Sequence, residues 1–145
     1  LAAQLGVAAY DARHRSADFR LNNGWILQAA GNSLRLWDHE TIGLDLQEGM
    51  DDMALAFTAD CWSRTFRSSV TTTAHAPAIR TRWGLEVLAD GQPEAGAPRF
   101  TLPLLGKDLP ARALDQALEA IARRYGQKTA GFVALQIEYP WGSAA

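Results

Sequence analysis

The spacing of apolar positions changes several times along the chain, and the clearest changes fall between Thr41 and Gly91. Thr41 to Leu46 (TIGLDL) reads as a strand, and Glu48-Gly49 as a tight turn in which Gly49 supplies backbone angles that other residues avoid. From Met50 the period becomes helical: Met50, Met53, Ala54, Phe57 and Cys61 recur on one face. Asp51 and Asp52 lie in the first turn of that helix, where the dipole favours negative charge. Ser68 to Thr73 is β-branched and strand-like, and His75-Ala76-Pro77 breaks it. Ile79–Thr81 and Leu85–Leu88 follow as short strands around Trp83-Gly84, the place for a hairpin or bulge. Residues 41–91 thus form a strand–helix–strand–hairpin unit, closed by Asp90-Gly91.

Residues 1–40 are a leading segment. Leu1, Leu5, Ala8 and Ala9 share a helical face too short to be stable alone, and Tyr10 to Arg20 is a polar connector. Its Arg13, His14, Arg15 and Arg20 can make a small anion-binding rim, although solvated charge is the commoner use of such runs. Asn22-Asn23-Gly24 is a turn signal, Trp25 to Ala30 is an apolar run too short to assign by period, and Ser33 to Trp37 alternates like a strand. Asp38-His39-Glu40 is dense in ligand-type side chains, but neighbours in sequence cannot all point one way, and a turn is the expected reading. After a Pro/Gly/Ala-rich loop at Gln92–Arg99, Phe100 to Leu105 reads as one more strand, pushed to an edge by Pro103. Residues 109–138 are a closing helical pair: Leu114, Ala117, Leu118, Ile121 and Tyr125 form a stripe that Gly126 stops, and Lys128 to about Ile137 presents Phe132, Val133 and Gln136.

The pattern predicts one compact α/β domain over residues 1–145, with a short open sheet built on Thr41–Leu46, Ser68–Thr73 and Leu85–Leu88 and covered by helices, a flavodoxin-like fragment. Composition fits a globular chain, with 48% hydrophobic and 21% charged residues. A net charge of −2 leaves no basic footprint for nucleic acid, and no apolar run reaches the length of a membrane span. One cysteine excludes an internal disulfide framework and sets no compartment.

Two stretches resemble the ThiJ/PfpI family of the class I glutamine amidotransferase-like superfamily. TIGLDLQEGMDDMALA is similar to that family's first strand, Asp-Gly-Phe-Glu-Glu-type turn and helix. RSSVTTTAHAPAIRT and GLEVLAD resemble its second strand, its Pro-Val-Arg-Thr-like segment and its Gly-Leu-x-Val-x-x-Asp strand. The ending, ALDQALEAIARRYGQKTAGFVALQIEYPW, looks like its closing helices, especially in members related to transcriptional regulators. Together these cover a little over half of the chain.

The resemblance also implies what is missing. Family enzymes carry a cysteine on a strand-to-helix elbow and an acid on the first helix. The acid's position falls at about Ala54, and Cys61 lies within the helix. Between Asp90 and Ala111 there are too few residues to hold the elbow and its flanking elements. The expectation is an abbreviated, non-catalytic relative. With no Met at Leu1, it has the character of a second, degenerate domain that follows a complete one in a longer chain.

Cofactor and metal motifs are absent from the sequence, so neither group is expected. Three functions follow in order. First is an interaction or regulatory domain, forming a homo-oligomer or covering a companion domain, with Trp62, Trp83 and Trp141 as candidate interface residues. Second is a small-ligand sensor at the strand-end crevice, with Glu48, Gly49, Asp52 and Arg80 as candidate ligand-binding residues. Third is a hydrolase-like enzyme using Cys61, or Asp51 with Asp52 as an acid–base pair.

Overall fold

The structure, a computed structural model, describes Gln4 and residues 15–34, 39–93, 100–102 and 110–141. The expected helix over Leu1–Ala9 lies outside them except for Gln4, as do Arg13, His14, Asp38 and Pro103.

A short 3-10 turn, Ser16–Phe19, leads into helix α1 (Asn23–Ser33). Strand β1 (Glu40–Asp45), helix α2 (Asp52–Ser63) and strand β2 (Ser68–Thr73) follow, then β3 (Ala78–Arg80), β4 (Glu86–Leu88) and β5 (Phe100–Leu102). Helices α3 (Pro110–Tyr125) and α4 (Gln127–Gln136) close the described chain. The main sheet is parallel, in the order β2-β1-β5. β1 is therefore central, with Ile42 and Leu44 buried on the face that the helices cover and Thr41 exposed on the other.

Helix α2 starts where Asp51 caps it, its Oδ1 accepting the Ala54 N–H at 3.0 Å. Such a cap is worth about 1 kcal/mol. Gly49 turns the chain before it with φ +74°, and Gly126 separates α3 from α4 with φ +92°, an angle that a side chain disfavours. α3 and α4 meet the sheet and α2 through Ala117, Leu118, Ile121, Ala130, Val133 and Ala134, packed with Ile42, Leu44, Cys61 and Trp62. The alanines let these helices approach closely, so Trp62 can fill the centre of the core.

Two expectations are corrected. The turn at Asn22-Asn23-Gly24 is a helix start: the Asn22 side chain accepts the Trp25 N–H at 3.1 Å, and the helix continues through Ser33, where a strand was expected to begin. Nor does Leu85–Leu88 contribute to the main sheet. β4 pairs antiparallel with β3 in a separate two-stranded ribbon, and β5 is the third strand of the main sheet. A parallel bridge from Thr73 to Gly91 ties the end of the ribbon to β2. Its inner residues Ile79 and Val87 pack on Leu46, Met50 and Ala74, a second and smaller core.

Candidate functional site

Parallel strands deliver their carboxyl ends to one edge of the sheet, where open α/β folds bind ligands. The candidates Glu48, Gly49, Asp52 and Arg80 meet at that edge, but their polar atoms hold the fold together. The Glu48 carboxylate accepts the Arg80 backbone N–H, 3.2 Å from each oxygen, and the Gly49 N–H donates to the Arg80 carbonyl at 2.8 Å. The Arg82 N–H donates to the Met50 carbonyl at 2.8 Å, and Thr81 Oγ1 donates to Asp52 Oδ2 at 3.3 Å. These bonds draw the β3–β4 hairpin over the turn between β1 and α2. Two oxygens are left over: Asp51 Oδ2 and Asp52 Oδ1 are buried without a hydrogen-bond partner.

Cys61 lies roughly 14 Å along α2 from that edge. It is 1% exposed, and its thiol is pushed up to about 12, chiefly by burial, next by the Asp60 charge, with Arg64 opposing. A thiolate is the nucleophile, and burial in an apolar setting suppresses it. A narrow cavity of about 160 Å³ beside the thiol is lined by Phe57, Asp60, Leu114 and Ile137.

The three candidate tryptophans separate. Trp62, expected among the interface residues, is 0% exposed and stands edge-on to Tyr125 at 5.6 Å, so it belongs to the core. Trp141 is half-buried against the same core. Trp83 is 68% exposed on the turn of the hairpin, with the Arg82 guanidinium 5.4 Å from its ring. Near it Leu85 and Leu88 are also exposed, at 56% and 72%.

Of the other sequence candidates, Arg15 and Arg20 are exposed, and Glu40 is paired with Arg124 at 2.6 Å. Among the described residues no group of three or more His, Cys, Asp and Glu is placed to hold a metal ion, and no helix is long and apolar enough to cross a membrane.

At the opposite edge of the sheet the structure shows a feature that sequence reasoning missed. An open cleft of about 330 Å³ lies between the ends of α1 and α2 and the starts of β1 and β2. Its margin includes Ser33, Ser63, Phe66 and Ser69. The loop from α2 to β2 carries no Gly, Pro or Asn to signal it in the sequence.

No family model and no curated protein matches the sequence. Among solved structures the chain is similar to Toxoplasma gondii DJ-1 in an oxidized form, with 12% identity and a TM-score of 0.57 over 70% of this chain and 100% of that one. It is also similar to an AraC family transcriptional regulator from Pseudomonas putida, with 12% identity and a TM-score of 0.51 over 65% of this chain and 96% of the other. At that identity the likeness is one of fold, and the α/β, flavodoxin-like architecture is the shared property.

Proposed function

We propose that this chain is a non-catalytic α/β interaction module, regulatory in role, that pairs with a second copy of itself through the outer face of the β3–β4 hairpin. The observation that carries the reading is the exposed set Trp83, Leu85 and Leu88 on a ribbon whose inner face is already anchored. Charge supports a second copy as the partner. Arg80 and Glu86 are cross-strand neighbours, and Ala78 opposite Leu88 lies on their side of the ribbon. A two-fold axis through this face can set Arg80 of each protomer against Glu86 of its partner. One of the similar structures is that of a transcriptional regulator, which is in keeping with a regulatory use of this fold.

The burial of Cys61 weighs against the thiol enzyme. For the sensor reading, the unpartnered oxygens of Asp51 and Asp52 are the favourable sign. It ranks second because the hairpin occupies the polar groups that a ligand would meet.

Light scattering over a concentration series tests the proposal. A dimeric mass for the wild type, and a monomeric mass for Trp83→Asp with unchanged circular dichroism, is the expected result. A wild-type monomer at the highest soluble concentration would overturn it.

A further inference from the structure

Phe66 is held in an unfavourable backbone conformation, and the loop around it is unusually well fastened. Its φ is +57°, a genuine outlier for a bulky side chain. Such strain persists only where the surroundings over-determine it. Here they do. Thr65, fully buried, donates from Oγ1 to the Trp62 carbonyl at 2.8 Å and accepts the Arg67 N–H at 3.1 Å. From α1, buried Asn32 donates to the Thr65 carbonyl at 2.8 Å, and from α4, Gln136 donates to the Arg64 carbonyl at 3.0 Å. Three helices thus fix one short loop, and its Phe66 ring, backed by Phe132 at 5.9 Å, stays 45% exposed at the margin of the cleft.

The chemistry of the cleft selects a class of ligand. Its lining is rich in hydroxyls, from Ser33, Thr41, Ser63 and Ser69, with the His39 ring beside them, while the Ser68 hydroxyl already donates to the Trp62 carbonyl at 2.8 Å. Among the described lining residues the one carboxylate is Glu40, and it is already tied to Arg124, so its charge is balanced before any ligand arrives. The last residues of α1 and α2, Ser33 and Ser63, both lie on the margin, and the negative ends of two helix dipoles disfavour an anion there. The volume of about 330 Å³ falls within the range of small-molecule sites, at the lower end. We propose that the cleft binds a neutral polyhydroxylated ring, of the size of a monosaccharide or cyclic polyol, its C–H face on Phe66 and its hydroxyls on the serine and threonine side chains. This site lies at the opposite edge of the sheet from the hairpin and is independent of self-association.

The test is an amide NMR titration of the full chain with glucose, galactose and myo-inositol, and separately with inorganic phosphate and with spermidine. Saturable shifts of the Thr41, Phe66, Ser68 and Ser69 amides by a neutral polyol, and by neither ion, are expected. Two variants sharpen the result. Phe66→Gly removes the ring at a position where glycine accepts the backbone angle, so binding should weaken about tenfold or more while the fold is kept. Ser69→Lys places a long side chain at an exposed cleft position and should abolish the shifts without moving the unfolding midpoint. Saturation by phosphate or spermidine in place of the polyols overturns the proposal. So does the absence of saturable shifts with every probe, or wild-type affinity in both variants.

Discussion

Trp62 and Trp83 are the same residue type in two regions built on different terms. The first is enclosed by β1, α2, α3 and α4, with no exposed surface; the second stands on the turn of a ribbon and is mostly in water. The core around Trp62 is a three-strand parallel sheet with helices on it. The hairpin has only two strands of three residues, and its Ile79 joins Leu46, Met50 and Ala74 in a four-residue buried cluster. A two-stranded ribbon is marginal by itself, and this one is held by the turn that feeds α2. Stability is concentrated in the first region, while the second leaves Trp83, Leu85 and Leu88 open to a partner.

The largest separation should come from the two alanine variants. Trp62→Ala should cost about 3–5 kcal/mol in urea unfolding, enough to unfold a marginal domain. Trp83→Ala should stay within about 0.5 kcal/mol of wild type and lower only the self-association. If Trp83→Ala proves as destabilising as Trp62→Ala, the division between the regions fails.

Alkaline pH probes the first region next. The folded Cys61 thiol is pushed up to about 12, whereas an unfolded thiol ionises near 8.5. Above the unfolded value, the unfolded chain has shed a proton that the folded chain keeps. Stability from this group is therefore complete below about pH 8.5 and declines as pH rises toward 12, by up to about 1.4 kcal/mol per unit. Unfolding midpoints at about pH 8 and pH 10 should show the decline in wild type and a shallower one in Cys61→Ala. A thiol reagent should label Cys61 in urea and leave it unlabelled in buffer; rapid native labelling would break the assignment.

Asp51→Ala should cost about 1 kcal/mol through the lost α2 cap, read by the same unfolding assay. The smallest effect belongs to Asp90, at the rim of the hairpin. Thr72 donates to its carboxylate from both backbone and side chain, each at 2.8 Å, and holds the carboxyl below its usual range. That contribution is present above the ordinary aspartate value and lost as pH falls through the lowered one. Solvent screening keeps it to a few tenths of a kcal/mol. An acid titration of Asp90→Asn against wild type checks the sign.

Much of the core was legible because it obeys local rules. β1, α2, β2 and the two closing helices sit within a residue or two of their expected bounds, each having a capping residue, a β-branched run or an apolar stripe. Helix α1 was opaque: NGWILQAAGNS has no charged residue and no clear stripe, so nothing separated it from a buried strand. Its inner face is defined by tertiary partners, Trp25 stacking on Phe132 and Asn32 reaching Thr65. The partners of three-residue strands were opaque for a related reason, because so short a run does not specify a register. Glu48, Gly49, Asp52 and Arg80 meet at the carboxyl edge, but sequence could not tell that Glu48 serves a backbone N–H. The opposite cleft was invisible, since its residues come from four separate elements.

The parallel arrangement around β1 has a consequence for how the chain assembles. Neither partner of β1 is reachable by a tight turn: β2 must wait for α2, and β5 for the whole ribbon between. Such non-local pairing is slow, because loop closure comes before its reward. The nascent chain therefore carries Ile42 and Leu44, both fully buried in the fold, before either partner of β1 has been made. Until then these two side chains need shelter.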